Sequence, residues 1–118
     1  AHAVSTGRVL LAALPEDELL QYLDNVELQK LTPNTVTSKV KLRGLIEDAE
    51  AKGWSIVDQE LEIGLRSISV PIRDKNGLVI GALNVACPSS RITPEDMHTN
   101  ILLELQAASR NITASLQH

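Results

Sequence analysis

The sequence has no phenylalanine and only one each of tryptophan, tyrosine, cysteine and methionine in 118 residues. With Trp54 and Tyr22 as its only aromatics, the chain must build its core from Leu, Ile, Val and Ala, which suits helices packed on a sheet. A single cysteine, Cys87, excludes an internal disulfide, and without neighbouring Cys or His it offers no zinc site. That usage fits a reducing cytoplasm. No stretch concentrates Lys and Arg, and the formal net charge is -4, so direct binding of this piece to DNA is not expected. No apolar run approaches the roughly 18 residues of a membrane span, and no charged segment followed by an apolar core marks a secretion signal. Internal repeats and low-complexity tracts are also lacking. There is no initiator Met before Ala1-His2, and a helix-like pattern begins almost at once, which leads to the expectation of a longer parent chain.

The apolar content, 43% of residues, suffices for one core in a chain of this length, so one domain or a large piece of one is expected. After Ser5-Thr6-Gly7, Val9, Leu10, Ala13 and Leu14 recur at helical spacing. Pro15 suits a first helical position, followed by Glu16, Asp17 and Glu18 at the positive helix end and a Leu19, Leu20, Leu23 stripe ending near Asp24-Asn25. Polar residues 29–37, with Thr32-Pro33-Asn34 as a breaker, predict a loop. Helix resumes after Ser38, with Leu42, Leu45, Ile46 and Ala49 on one face and Gly53 as its stop. Trp54 to Gln59 predicts a strand. Arg66 to Arg73 alternates as a second strand, Asp74-Lys75-Asn76-Gly77 supplies a turn, and Leu78 to Cys87 returns as its partner. Thr93 as N-cap and Pro94 at the first helical position open a closing helix lined by Met97, Ile101, Leu105, Ala108, Ile112 and Leu116. The fold class is therefore α+β, an antiparallel sheet with flanking helices.

Opposed residues of an antiparallel pair share a face, so an even-length turn places Ser67 and Ser69 beside Ala82, Asn84 and Ala86. Ile68, Val70 and Ile72 then join Val79, Leu83 and Val85 on a face that the helices must cover. The hydroxyl-and-amide face has two readings: the lining of a polar ligand's pocket, or an ordinary solvated surface. Ser5-Thr6-Gly7 could present backbone N–H groups to a carboxylate, or be a plain helix cap. Arg66 could grip a carboxylate, but Asp58, Glu60 and Glu62 are at hand as internal partners. His2, His98 and His118 show neither metal-ligand nor triad spacing. Serine elbow, paired-cysteine, phosphate-loop and His-Glu metal motifs are all absent, so neither catalysis nor a cofactor or metal is expected.

Two segments resemble the C-terminal domain of the IclR family of bacterial transcriptional regulators. One is Gly64-Leu65-Arg66-Ser67-Ile68-Ser69-Val70-Pro71-Ile72, followed by Gly77 and Gly81-Ala82-Leu83-Asn84-Val85. The other is the helix start His2-Ala3-Val4-Ser5-Thr6-Gly7-Arg8-Val9-Leu10-Leu11-Ala12. Within the family, Arg66-Ser67-Ile68 and Cys87-Pro88-Ser89-Ser90-Arg91-Ile92-Thr93 are most similar to the regulators of protocatechuate, 4-hydroxybenzoate and β-ketoadipate catabolism. The resemblance implies a GAF/PAS-like sensor domain, residues 1–118 being its C-terminal part, with the first strands of the sensor and the helix-turn-helix DNA-binding domain lying outside this chain. It also implies a small organic acid as effector, DNA contacted only through that other domain, and a homodimer or homotetramer. Carried over by position, the effector-binding residues are Ser5, Thr6, Ser67, Asn84 and Ala86, and an acidic pocket position of some members falls on Val57. A structural oligomerisation module without a ligand of its own is the alternative.

Overall fold

The computed structural model describes residues 5–116. His2 and His118, and the first part of the N-terminal motif, lie outside them. The elements run α1 (Ser5–Ala12), α2 (Glu16–Asn25), α3 (Lys39–Lys52), β1 (Ser55–Asp58), β2 (Leu65–Arg73) and β3 (Val79–Pro88). A last helical run follows, made of a single turn α4 (Pro94–Asp96), a π-helical turn (Met97–Ile101) and α5 (Leu102–Leu116). The three strands form one antiparallel sheet in the order β1-β2-β3.

The helix boundaries follow from local chemistry. Ser38 caps α3, its hydroxyl accepting from the Lys41 N–H, and Gly53, left-handed at φ 79°, returns its N–H to the Ala49 carbonyl. Thr93 caps the last helical run by accepting from the Asp96 N–H, with Pro94 at the first position. Pro15 does not occupy the first helical position of α2 but stands just before it, with an extended ψ of 150°. Strand β1 stops at Asp58, not Gln59, because Gln59 takes φ 58°, outside the extended region.

The hairpin is where the sequence expectation needs correction. The connection between Arg73 and Val79 is five residues long, not four. Asp74 closes it, its carboxylate accepting from the N–H groups of Asn76 and Leu78, and Gly77 supplies φ 83°. An odd loop alone would invert every face, but a bulge between the Ile72–Gly81 and Arg73–Val79 pairs takes up one extra residue and restores the parity. From Gly81 onward the faces are those an even loop would give, with Ser67 opposite Ala86, Ser69 opposite Asn84 and Val70 opposite Leu83. Val79 is the exception. Paired with Arg73 ahead of the bulge, it leaves the apolar set and lines a cleft with Val9 and Ala12 of α1.

Two apolar clusters result. Leu11, Leu19, Leu23, Val36, Leu42 and Ile46 join α1, α2 and α3. Ile68 and Val70 of β2 pack with Met97, Leu102 and Leu105 on the opposite side of the sheet, each such aliphatic side chain contributing about 1.5–3 kcal/mol when fully buried. In that run the π-helical turn inserts one residue, so the buried face passes from Met97 to Leu102, not to Ile101, which is only half-buried. Leu116 is exposed, and the expected stripe ends before it.

Candidate functional site

Helix α1 lies across the Ser67–Ser69 face of the sheet, where it meets all three strands. Its first residue, Ser5, is 1% exposed, and its hydroxyl reaches three partners from distant parts of the chain. Ser67 Oγ is 2.9 Å away, Ser69 Oγ 2.8 Å and Asn84 Oδ1 2.9 Å. Ser69 Oγ in turn donates to Asn84 Oδ1 at 2.8 Å and stands 3.2 Å from Thr6 Oγ1. Four hydroxyls and one amide thus share a space that only the finished fold assembles, since 62 to 79 residues of sequence separate Ser5 from its partners on the sheet.

The hydrogens in this cluster do not balance. Each hydroxyl carries one, and four hydroxyl hydrogens face five short oxygen–oxygen contacts when the Asn84 oxygen points inward. At least one contact then has no hydrogen between its oxygens. Turning the amide over brings two N–H donors to the same place and removes the deficit. The cluster can therefore meet either an acceptor-rich or a donor-bearing ligand by one side-chain rotation.

Of the expected site residues, Ser5, Thr6, Ser67 and Asn84 come together. Ala86 lies opposite Ser67 on the same face, exposed and with no polar atom to add. Ser69, fully buried at the middle of the cluster, was placed on this face by strand alternation but not among the ligand positions. The i, i+2 spacing from Ser67 was the signal for it. Val57 pairs with Ser67 on the neighbouring strand and is buried, so an apolar wall stands at that side. Towards β3 the face is open, because Asn84 is exposed.

Two ion pairs hold this region in place. Arg8, one turn along α1 from Ser5, is buried and donates through both terminal nitrogens to the Glu60 carboxylate. That carboxylate also accepts from the Val36 N–H at 3.2 Å, while Thr35 and Thr32 hydroxyls donate to the Glu60 and Gln59 carbonyls. The position of α1 is thereby tied to the β1–β2 connection and to the loop before α3. Arg66 is spent structurally: its Nε donates to Asp58 at 2.8 Å, and its Nη1 to the carbonyls of Ser89 and Ile92. His98 packs edge-on against Trp54, with ring centres 5.2 Å apart.

Residues 1–114 match the sequence profile of the bacterial transcriptional regulator IclR C-terminal family. The chain belongs to the IclR family. The Pca regulon regulatory protein of Pseudomonas putida is 42% identical to it over 116 residues, 98% of this chain and 40% of that protein. Among solved structures, the inducer-binding domain of a double mutant of the PobR transcription factor from Acinetobacter, in complex with 3-hydroxybenzoic acid, superposes with a TM-score of 0.91. Its identity is 28%, covering 95% of this chain and 64% of that one. The IclR protein of Thermotoga maritima superposes with a TM-score of 0.87 at 30% identity, covering 99% of this chain and 47% of its own. This chain spans about two fifths of the length of its curated relatives. An IclR C-terminal domain is a module of transcriptional regulators, not of enzymes. No helix among the described residues is long and apolar enough to cross a membrane.

Proposed function

We propose that this domain binds a small organic acid, aromatic or dicarboxylic, at Ser5, Thr6, Ser67, Asn84 and Ala86, with Ser69 between them. The reading rests on one observation: a cluster of hydroxyls and an amide, buried at Ser5 and Ser69 and open at Asn84, assembled from α1, β2 and β3, in a fold shared with an inducer-binding domain solved with 3-hydroxybenzoic acid. The acid's carboxylate accepts from the hydroxyls of Ser5, Thr6 and Ser67, and Asn84 reads a ring hydroxyl or keto oxygen. Val57 in place of an acidic residue favours an apolar skeleton at that side. Occupancy is passed to a separate DNA-binding domain through homodimer or homotetramer arrangements in the cytoplasm, provided the acid prefers one arrangement over another.

The test is a thermal-shift titration with protocatechuate, 4-hydroxybenzoate and β-ketoadipate. At 100 times its dissociation constant, the correct acid adds about 2.7 kcal/mol of stability. Ser67→Leu fills the space beside Ser5 and removes that shift while leaving a cooperative melt. A folded protein that no acid stabilises, or a Ser67→Leu variant that responds unchanged, sinks the assignment.

A second reading draws on the exposure of Asn84 and Ala86 along β3. In it the same face packs against another subunit and takes no ligand. Sedimentation of wild type against Ala86→Arg separates the two readings: only a subunit contact makes the substitution dissociate an oligomer.

A further inference from the structure

The chain has eleven Lys and Arg residues against fifteen Asp and Glu. Among the described residues Arg8, Arg43, Lys52 and Arg66 pair with carboxylates. Three of the others, Arg73, Lys75 and Arg110, line a single groove of about 570 Å³ between the hairpin tip and the later turns of α5. In a chain of net charge -4, acidic partners are plentiful, yet none neutralises these three.

The groove has one acid of its own, Asp74, whose Oδ1 accepts from the backbone N–H groups of Asn76 and Leu78; its single charge leaves the three cations in excess. Arg73 donates one N–H to the Gly77 carbonyl at 3.0 Å and keeps the rest of its guanidinium fork open. The side chains of Lys75 and Arg110 make no hydrogen bond or ion pair to any described residue. Carbonyl acceptors in the walls are taken as well: Ser109 and Thr113 hydroxyls donate to Pro71 and Arg73 carbonyls at 2.7 Å each. Those two bonds also fix α5 to β2, so the walls are held together before any ligand arrives. Glu50 lies in the adjoining smaller cleft, which shares Arg73 but neither Lys75 nor Arg110.

We propose that this groove is a second small-molecule site, taking an anion with more than one carboxylate or phosphate group. Like charges facing one groove from the hairpin and from α5 repel each other, and a multivalent anion relieves that repulsion at several points at once. A planar guanidinium fork matches either group in geometry. The volume falls within the range of small-ligand sites, about 300–1,000 Å³. Arg73 lies about 13 Å along β2 from Ser69, so the groove and the hydroxyl cluster can be filled independently.

Isothermal titration of the 118-residue chain with citrate and with pyrophosphate, at ionic strength fixed with sodium chloride, tests the proposal. Saturable binding of at least one is expected, and the preferred probe tells carboxylate from phosphate recognition. The double variant K75E/R110E, altered only at exposed positions, weakens that binding about tenfold or more, a change of ~1.4 kcal/mol or above. K75Q/R110Q gives a smaller loss, and Ser67→Leu leaves the anion affinity unchanged, so failure at the first site does not count against the second. Absence of saturable heat with both probes overturns the proposal. So does an affinity that is the same in wild type and K75E/R110E, or one that Ser67→Leu abolishes.

Discussion

Ser69 carries more of the candidate site than its small side chain suggests. It has no exposed surface, and its hydroxyl touches Ser5, Thr6 and Asn84 together. Ser69→Ala leaves those groups short of a buried partner and costs about 1–3 kcal/mol in urea unfolding; a loss near zero would mean that the others close up without it. The Arg8–Glu60 pair is a stricter case. Both side chains are almost fully buried, so Glu60→Ala takes a two-point carboxylate partner from a buried guanidinium and costs about 3–5 kcal/mol. Equilibrium unfolding of that variant beside Arg43→Ala, whose partners Glu16 and Glu47 are exposed, measures the difference directly. At this scale the sequence was readable only in part. Alternation placed Ser67, Ser69 and Asn84 on one face, but nothing local to Glu60 distinguished it from Asp58 and Glu62 as the acid that would be buried. That choice is made by Arg8, 52 residues away.

Elements were legible wherever a boundary has a local cause. Ser38, Gly53, Thr93 and Pro94 mark their helix ends by capping chemistry, and all four stand where that chemistry puts them. The hairpin loop and bulge were not legible, because each shifts the register by one residue and the two shifts add to an even number, which restores the faces over most of β3. Only Val79, on the loop side of the bulge, shows that both exist. Gly77→Ala should cost about 1 kcal/mol or more, since an L side chain at φ 83° is strained; thermal unfolding checks it. The π-helical turn was equally hidden, since a helical stripe read at constant pitch predicts Ile101 as the buried position. The structure buries Leu102 instead. Leu102→Ala is therefore expected to cost about 2–5 kcal/mol and Ile101→Ala distinctly less, a ranking that denaturant midpoints would confirm or reverse.

At the scale of the whole molecule the chain is a slab, 44 × 39 × 17 Å, with a radius of gyration of 14.4 Å. A compact domain of this length would have about 13.5 Å. Its accessible surface of 6,920 Å² is likewise above the roughly 6,300 Å² typical for this mass. Composition and element order gave the α+β class but not this thinness. Strand β2 is the one element hydrogen-bonded on both edges and covered on both faces. Its amides should therefore exchange with solvent most slowly, while the outward amides of β3 exchange fastest. Hydrogen exchange read by NMR decides it, and fast exchange throughout β2 would contradict this order.

The solitary tryptophan gives the slab a built-in lamp. Trp54 sits just past α3, with the Lys52 ammonium 4.9 Å over its ring and the His98 imidazole against its edge. Lys52 closes the helix that belongs to the first apolar cluster, and His98 belongs to the π-helical turn that covers the second. The indole packs on the second cluster at the point where α3 ends, and no other indole in the chain emits. Its colour and brightness report, without any label, whether the end of α3 and the π-helical turn stay together on it while an acid or an anion is added.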